Sequence, residues 1–445
     1  MPASPRMAAP GVLLGAAFFL LAGCATMPAG GEHVTELCRA GDVRILAGFP
    51  AAGQHRCLVT GPAQVLLSVD PELAIDPPIN PSPWYAFDIE TDVPQTFGVT
   101  LDYGGYWHRY PPKIDRPGED WQPLGAAAVA VTEDGHRARL SLELTAGRTR
   151  IAAQPVLAPA DIAAWSHRFA RQHGFRQLEY GRSREGRALQ ALVAGPEEAD
   201  RLIVALTRQH PPEHSGGEAF EAFAQAIAAA RENGALAACC RILLLPLVNP
   251  DGLARGHWRL GAGGIDLNRD WFAAGEPEIA AAQALIRAEA EGRRIEAFLD
   301  FHSTRQTLVY NPPAGTAAHG DALMAELAAR YSDALDTPPD WVEGHNADIG
   351  TSKAWALTEF GFAGLTVELA DESPQAEAHA IGRLTAGAVI AVVGCCFLPQ
   401  RQLGKWADAQ HRVEGALRSR RRRRDVRAKL HHSAAHCAAA PPSRR

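Results

Sequence analysis

The feature that restricts this chain most is a histidine and a glutamate three positions apart, His210-Pro211-Pro212-Glu213, placed directly after the apolar run Leu202-Ile203-Val204-Ala205-Leu206. The run reads as a buried strand, which puts His210 and Glu213 on the loop just past its end. Two prolines restrict the backbone between them, so an imidazole and a carboxylate can converge on one metal ion at little ordering cost. A zinc ion in a hydrolytic site takes three protein ligands, with nitrogen and oxygen donors at about 2.0 to 2.2 Å, and keeps a fourth position open. The third ligand is expected from His302, which stands at the end of another apolar strand beginning near Ile295. Taken alone, His210 and Glu213 read more readily as a solvated loop salt bridge than as metal ligands, so the rest of the chain has to decide.

Several further motifs follow in a fixed order: Asn249-Pro250-Asp251-Gly252, Trp258-Arg259, Asp266-Leu267-Asn268-Arg269, the single His302, and Thr366-Val367-Glu368-Leu369. Together with His210 and Glu213 they resemble the zinc metallocarboxypeptidase family over about 178–399. The resemblance implies one Zn2+ ion held by His210, Glu213 and His302. It makes Glu368 the catalytic carboxylate that helps activate water and returns the proton to the leaving amine. It assigns Arg259 to the developing oxyanion, where a fixed guanidinium in a dry site contributes on the order of 3 kcal/mol. Asn268 and Arg269 would grip the terminal carboxylate of the substrate, a task suited to a bidentate guanidinium. Glu218, Glu359, Asp371 and Glu372 are competing carboxylates, and a salt bridge to Asp266 or Asp270 is the competing account of Arg269. His214 and His257 are expected around the ligands rather than among them. One departure concerns the substrate-capping tyrosine of digestive members: between Asp340 and Glu368 there is none, and His345, Lys353 and Trp355 occupy that region.

A chain of 445 residues exceeds one average domain. Arg6 followed by the apolar segment 11–22 is too short to span a bilayer and reads as a secretion signal over 1–23. Leu21-Ala22-Gly23-Cys24 looks like a bacterial lipobox, implying lipidation of Cys24 and a protein anchored to the cell envelope, on the outer membrane where there are two. Export permits disulfides, with Cys38 and Cys57 the expected pair. The adjacent Cys239-Cys240 and Cys395-Cys396 read as buried small hydrophobes. The formal charge of −6 divides into +10 from Arg401 onward and −16 before it. An acidic body argues against nucleic acid as a partner, and the basic run reads as a solvated tail able to touch anionic lipid.

After a linker over 24–33, residues 34–155 carry short apolar alternations broken by Pro, Gly and Asp, which predicts a small antiparallel β-sandwich. The segments 79–85 and 106–113 resemble the amino-terminal sandwich of the cytosolic-type carboxypeptidase branch. From 156 to 400 strands alternate with Ala-rich helices near 218–232, 276–290 and 320–335. This is an α/β class, a carboxypeptidase-like mixed sheet with helices on both faces, with functional groups on the loops at strand ends. The stretch 401–445 is expected to be a basic low-complexity tail. The expected activity is zinc-dependent removal of C-terminal residues from peptides with a free terminal carboxylate. The alternatives are an amidohydrolase of N-acyl amino acids, as in desuccinylases and aspartoacylases, and an inactive envelope module that binds through its sandwich.

Overall fold

The architecture comes from a computed structural model that describes residues 34–73, 83–236 and 239–394. The expected signal segment, Cys24, the linker and the basic tail lie outside the described residues.

Alternation of apolar and polar residues builds two sheets that face one another over 35–152. One runs in the lateral order Thr35–Ala40, Val43–Ala47, Ala86–Thr91, Gly147–Ala152, Lys113–Asp115 and Gln122–Pro123; the other His55–Gly61, Gln64–Val69, Gln95–Asp102, Arg137–Leu144 and Val129–Val131. The strand Arg137–Leu144 shows the cause, burying Ala138, Leu140, Leu142 and Leu144 while its other side chains face outward. Pairing is antiparallel apart from Gln64–Val69 on Gln95–Asp102, which run parallel. A disulfide joins Cys38 of the first sheet to Cys57 of the second, with Cα atoms 5.7 Å apart. Of the other cysteines, Cys240 is a buried free thiol, whereas Cys239 is disulfide-bonded and so is not the simple hydrophobe its surroundings suggest.

The helix Pro159–His173 leads into an eight-stranded mixed sheet. Its lateral order is Arg176–Arg182, Ala188–Ala194, Cys240–Leu245, Arg201–Thr207, Arg294–Thr304, Leu365–Ala370, Leu308–Asn311 and Asp340–Glu343. The central strands Cys240–Leu245, Arg201–Thr207, Arg294–Thr304 and Leu365–Ala370 pair in parallel. Their near-continuous apolar sequences fit burial on both faces. Phe301 meets Phe220 and Phe223 of the helix His214–Glu232, while Phe298, three residues earlier and so on the opposite face, meets Trp271 and Trp355. Helices therefore cover both sides.

The helix Gln375–Val393 is apolar and long enough to cross a membrane, but 67% of its apolar window is buried. Gly382 lets it lie against His214–Glu232, since a Cβ there would come within 2.1 Å of the Ala219 carbonyl. It is a core helix.

Candidate active site

The parallel strands deliver their C-terminal ends to one edge of the sheet; the loop leaving Arg201–Thr207 carries His210 and Glu213, whereas His302 sits within the last residues of the strand Arg294–Thr304 and not on a loop. Thr207 ends one strand; Arg208 then turns the chain with φ of 59°, after which Gln209 reaches Asp300 and His210 reaches Asp266. Glu213 closes the loop as the residue before the helix His214–Glu232. Gly216 in the first turn of that helix permits the approach of the neighbouring strand, because a Cβ there would lie 2.5 Å from the His302 carbonyl oxygen. Ser303 Oγ accepts a hydrogen bond from the Gly216 amide at 2.9 Å and fixes the contact.

His210, Glu213 and His302 come together, all buried, with one candidate ligand atom from each within 4.8 Å of the others. The carboxylate of Glu213 lies between the two rings, Oε1 2.8 Å from His210 Nδ1 and Oε2 2.6 Å from His302 Nδ1. Both imidazoles thus turn the same nitrogen to one point. Their far nitrogens are held by carboxylates: His210 Nε2 is 3.0 Å from Asp266 Oδ1, and His302 Nε2 is 2.9 Å from Asp300 Oδ1. A metal-bound histidine wants that second partner, which fixes the ring and its tautomer. Two nitrogens and a carboxylate, with outer carboxylates behind them, are the donor set of a zinc site with an open position, so the residues fit the ion.

Burial works against charge on Glu213, yet the two imidazoles outweigh it and hold its pKa below the usual carboxylate range. Burial likewise opposes ionisation of Asp266, and Arg259 and His210 overcome it. Asp300 is completely buried, and its Oδ2 accepts from Gln209 Nε2 at 2.6 Å and from the Ser352 hydroxyl.

Glu368 stands beside this cluster. Its strand pairs in parallel with that of His302, and the two residues are register partners with side chains on one sheet face. Its Oε2 is buried without a hydrogen-bond partner. Burial pushes its pKa up to about 7; the imidazoles oppose the rise and the Glu213 charge reinforces it. The competing carboxylates are engaged elsewhere: Glu218 with His214 and Gln375, Glu359 with Arg287, Asp371 with Arg109, and Glu372 with Lys113.

Arg259 Nε donates to Asp266 Oδ2 at 2.7 Å, so a single aspartate bridges this arginine and His210. Asn268 lies deeper than a substrate-gripping role suggests: its Oδ1 accepts from the Ser352 amide at 3.0 Å and its Nδ2 is 3.3 Å from His302 Nε2. Arg269 donates to the Asn268 carbonyl at 2.8 Å and sits within the electrostatic reach of Glu368. Asn249 caps the helix Pro250–Arg255 through the Gly252 amide at 2.8 Å. Asp251 holds the hairpin turn at Ser183, Glu185 and Arg187. His214 pairs with Glu218, and His257 with the Leu260 carbonyl.

Of the three residues where a capping tyrosine is absent, Trp355 packs in the core against Trp271 and Phe298. Lys353 is buried with its ammonium on the His345 carbonyl; burial, reinforced by Arg269, lowers its pKa to about 8. His345 stacks on Tyr310 at 4.4 Å. Tyr310 reaches the same sheet face as Glu368 from the neighbouring antiparallel strand, where Leu308 pairs with Glu368 and Tyr310 with Thr366. Tyr310 lies outside the stretch 340–368 in which the resemblance places a capping residue. Asp300 is also missed by motif reading, although two residues apart on a strand is the spacing that puts it on the face of His302.

Residues 162–386, just over half of the chain, match the family model described as zinc carboxypeptidase. The chain belongs to the zinc carboxypeptidase family. Among curated relatives, this zinc carboxypeptidase family member is 29% identical to uncharacterized protein ZMO1242 of Zymomonas mobilis over 174 residues, 38% of this chain and 43% of that one. Cytosolic carboxypeptidase-like protein 5 of Ailuropoda melanoleuca is 28% identical over 167 residues, 36% of this chain and 19% of that one. The matches span less than half the length of these relatives. Among solved structures, the metallo-carboxypeptidase from Burkholderia cenocepacia has a TM-score of 0.66 at 20% identity, covering 79% of this chain and 99% of that one. The metallo-carboxypeptidase from Pseudomonas aeruginosa, solved in complex with (2-guanidinoethylmercapto)succinic acid, has 0.64 at 20%, covering 78% and 98%. Those shares exceed the catalytic half, so the common fold takes in sandwich residues as well.

Proposed function

We propose that this protein is a zinc-dependent carboxypeptidase that hydrolyses the C-terminal peptide bond of peptides in the cell envelope. The observation that carries the reading is the convergence of His210 Nδ1, His302 Nδ1 and the Glu213 carboxylate, with Glu368 in register beside His302. His210, Glu213 and His302 would hold the ion, which when bound polarises a carbonyl and lowers the pKa of water toward neutrality. Glu368, with a partnerless oxygen and a pKa near neutrality, accepts a proton from the attacking water and gives it to the departing amine. Arg259, held by Asp266, faces the charge that develops on the scissile carbonyl oxygen. Arg269 attracts the terminal carboxylate, with Lys353 adding positive potential nearby. Tyr310 and His345 offer an aromatic wall where digestive members use a mobile tyrosine.

The test uses synthetic peptides with free or amidated C-termini. The wild-type protein should release the last residue from the free-acid peptide alone. Glu368→Gln should lower kcat by about 10² to 10⁴-fold while retaining zinc. Equal hydrolysis of the amidated peptide, or full activity in the variant, contradicts the reading.

The envelope location rests on the segment 1–24, with the Cys38–Cys57 disulfide supporting an oxidising compartment. Cys24→Ala should abolish labelling by a radioactive fatty acid and release the protein from membrane fractions; unchanged labelling rejects the anchor.

A further inference from the structure

The loop that carries Arg259 is built into the sandwich. Trp258 is 5% exposed and belongs to the sandwich core, with its ring 5.8 Å from Tyr110 and the Arg109 guanidinium 4.9 Å above it. Glu72, on the chain leaving the strand Gln64–Val69, places its carboxylate on three consecutive amides of this loop. Oε2 accepts from Trp258 N at 3.0 Å, and Oε1 accepts from Arg259 N and Leu260 N at 2.7 Å each. Three amides converging on one carboxylate form a strong, directional clamp, since hydrogen bonds to an ionised acceptor exceed neutral ones.

The same seam continues on both sides. The Ala51 amide donates to the Ala254 carbonyl at 2.9 Å, and a Cβ on Gly256 would strike the Gly53 nitrogen at 2.3 Å. Arg109, besides covering Trp258, makes a bidentate pair with Asp371, three residues beyond Glu368, at 2.7 and 2.9 Å. From the loop, Arg259 reaches Asp266, and Asp266 reaches His210.

We propose that Glu72 is a positioning residue that acts through Arg259, and that the sandwich is thereby a working part of the active site rather than an appended binding module. The proposal rests on the hydrolase reading for its kinetic part only. Arg259 needs its guanidinium fixed where negative charge develops, and its backbone is fixed from the other domain. Loosening the backbone lets the guanidinium drift, and a displacement of about 1 Å in a catalytic constellation costs up to about 10²-fold in rate.

The experiment compares full-length wild type, Glu72→Ala, Glu72→Gln, Arg259→Ala and the double variant Glu72→Ala/Arg259→Ala. Glu72→Ala should lower kcat about 10- to 100-fold with KM little changed, because the interaction lost is made in the transition state. Glu72→Gln, which keeps the shape and one acceptor oxygen, should lie between wild type and Glu72→Ala. In the Arg259→Ala background Glu72→Ala should cause no further loss, as expected of two residues acting in series. Zinc affinity should be unaltered in both Glu72 variants. Amide hydrogen exchange needs no substrate and reads the clamp directly: amides 258–260 should exchange at least ten-fold faster in Glu72→Ala.

Unchanged exchange at 258–260 overturns the proposal. So does an undiminished loss in the Arg259→Ala background, which would mean that Glu72 works by another route. Should Glu72→Ala not fold, Glu72→Gln decides both readouts by the same criteria. A wild-type protein without peptidase activity overturns the hydrolase reading instead, and the exchange result then decides the clamp alone.

Discussion

Asp266 joins two groups that the linear sequence keeps apart, the His210 ring at 3.0 Å and the Arg259 guanidinium at 2.7 Å. Asp266→Asn keeps the shape but weakens the pull on His210 and discards the charge that steadies Arg259. Zinc affinity should fall about 10- to 100-fold, as for other outer carboxylates behind a ligating histidine. A competition titration with a chromophoric chelator measures it, and an unchanged affinity contradicts the role. The clustering of His210, Glu213 and His302 was legible only from the whole ordered set of motifs, since the short stretch with its three-residue spacing, two prolines and apolar run does not decide by itself. The partner of Asp266 was not. Sequence reading offered it to Arg269, three residues away, whereas the turn at Leu267–Arg269 sends Asp266 toward Arg259. Tyr310 escaped for a similar reason, since antiparallel pairing with the Glu368 strand brings it in from outside the stretch where a capping residue was sought.

Elements place these residues by register. His302 and Glu368 are neighbours because two parallel strands pair at those positions, and Asp300 shares their face because it lies two residues before His302. Element types followed from periodicity: the helices at Pro277–Ala290 and Asp321–Ala334 start and stop within a residue or so of where Pro, Gly and apolar spacing put them. The start of His214–Glu232 is earlier than its apolar pattern indicates, because Ser215, Gly216 and Gly217 are weak helix formers; Ser215 and Gly216 contact the His302 strand, and Gly217 leaves room for the Arg208 guanidinium. Gly216→Ala should therefore destabilise the fold by about 1 to 3 kcal/mol through overpacking against the His302 carbonyl, despite the better helix propensity of alanine. Denaturant melts of the two proteins measure it; a stability gain would show that the strand yields freely.

At the scale of the whole molecule, the sandwich was readable as alternating strands, but its seam with the catalytic sheet was not. Glu72 and Trp258 are 186 positions apart, and no local pattern links them. The sandwich also carries a pH dependence of its own. Burial, the largest influence, lowers the pKa of His55 to about 4 from 6.5, against the pull of nearby carbonyls. The unfolded chain therefore binds the proton first as pH falls. The neutral ring contributes its full stability above about pH 6.5 and loses it progressively as pH drops toward 4, by at most about 3 kcal/mol. Thermal melts from pH 7.5 to 4.5 should fall less steeply for His55→Gln than for wild type, and parallel curves would contradict this.

Zinc-edge anomalous diffraction from crystals of the full-length protein grown with one equivalent of zinc tests the central arrangement most directly. The account predicts one peak within about 2.0 to 2.2 Å of His210 Nδ1, His302 Nδ1 and a Glu213 oxygen, with Glu368 adjacent and not bound. A peak elsewhere, or none at these three side chains, would contradict it.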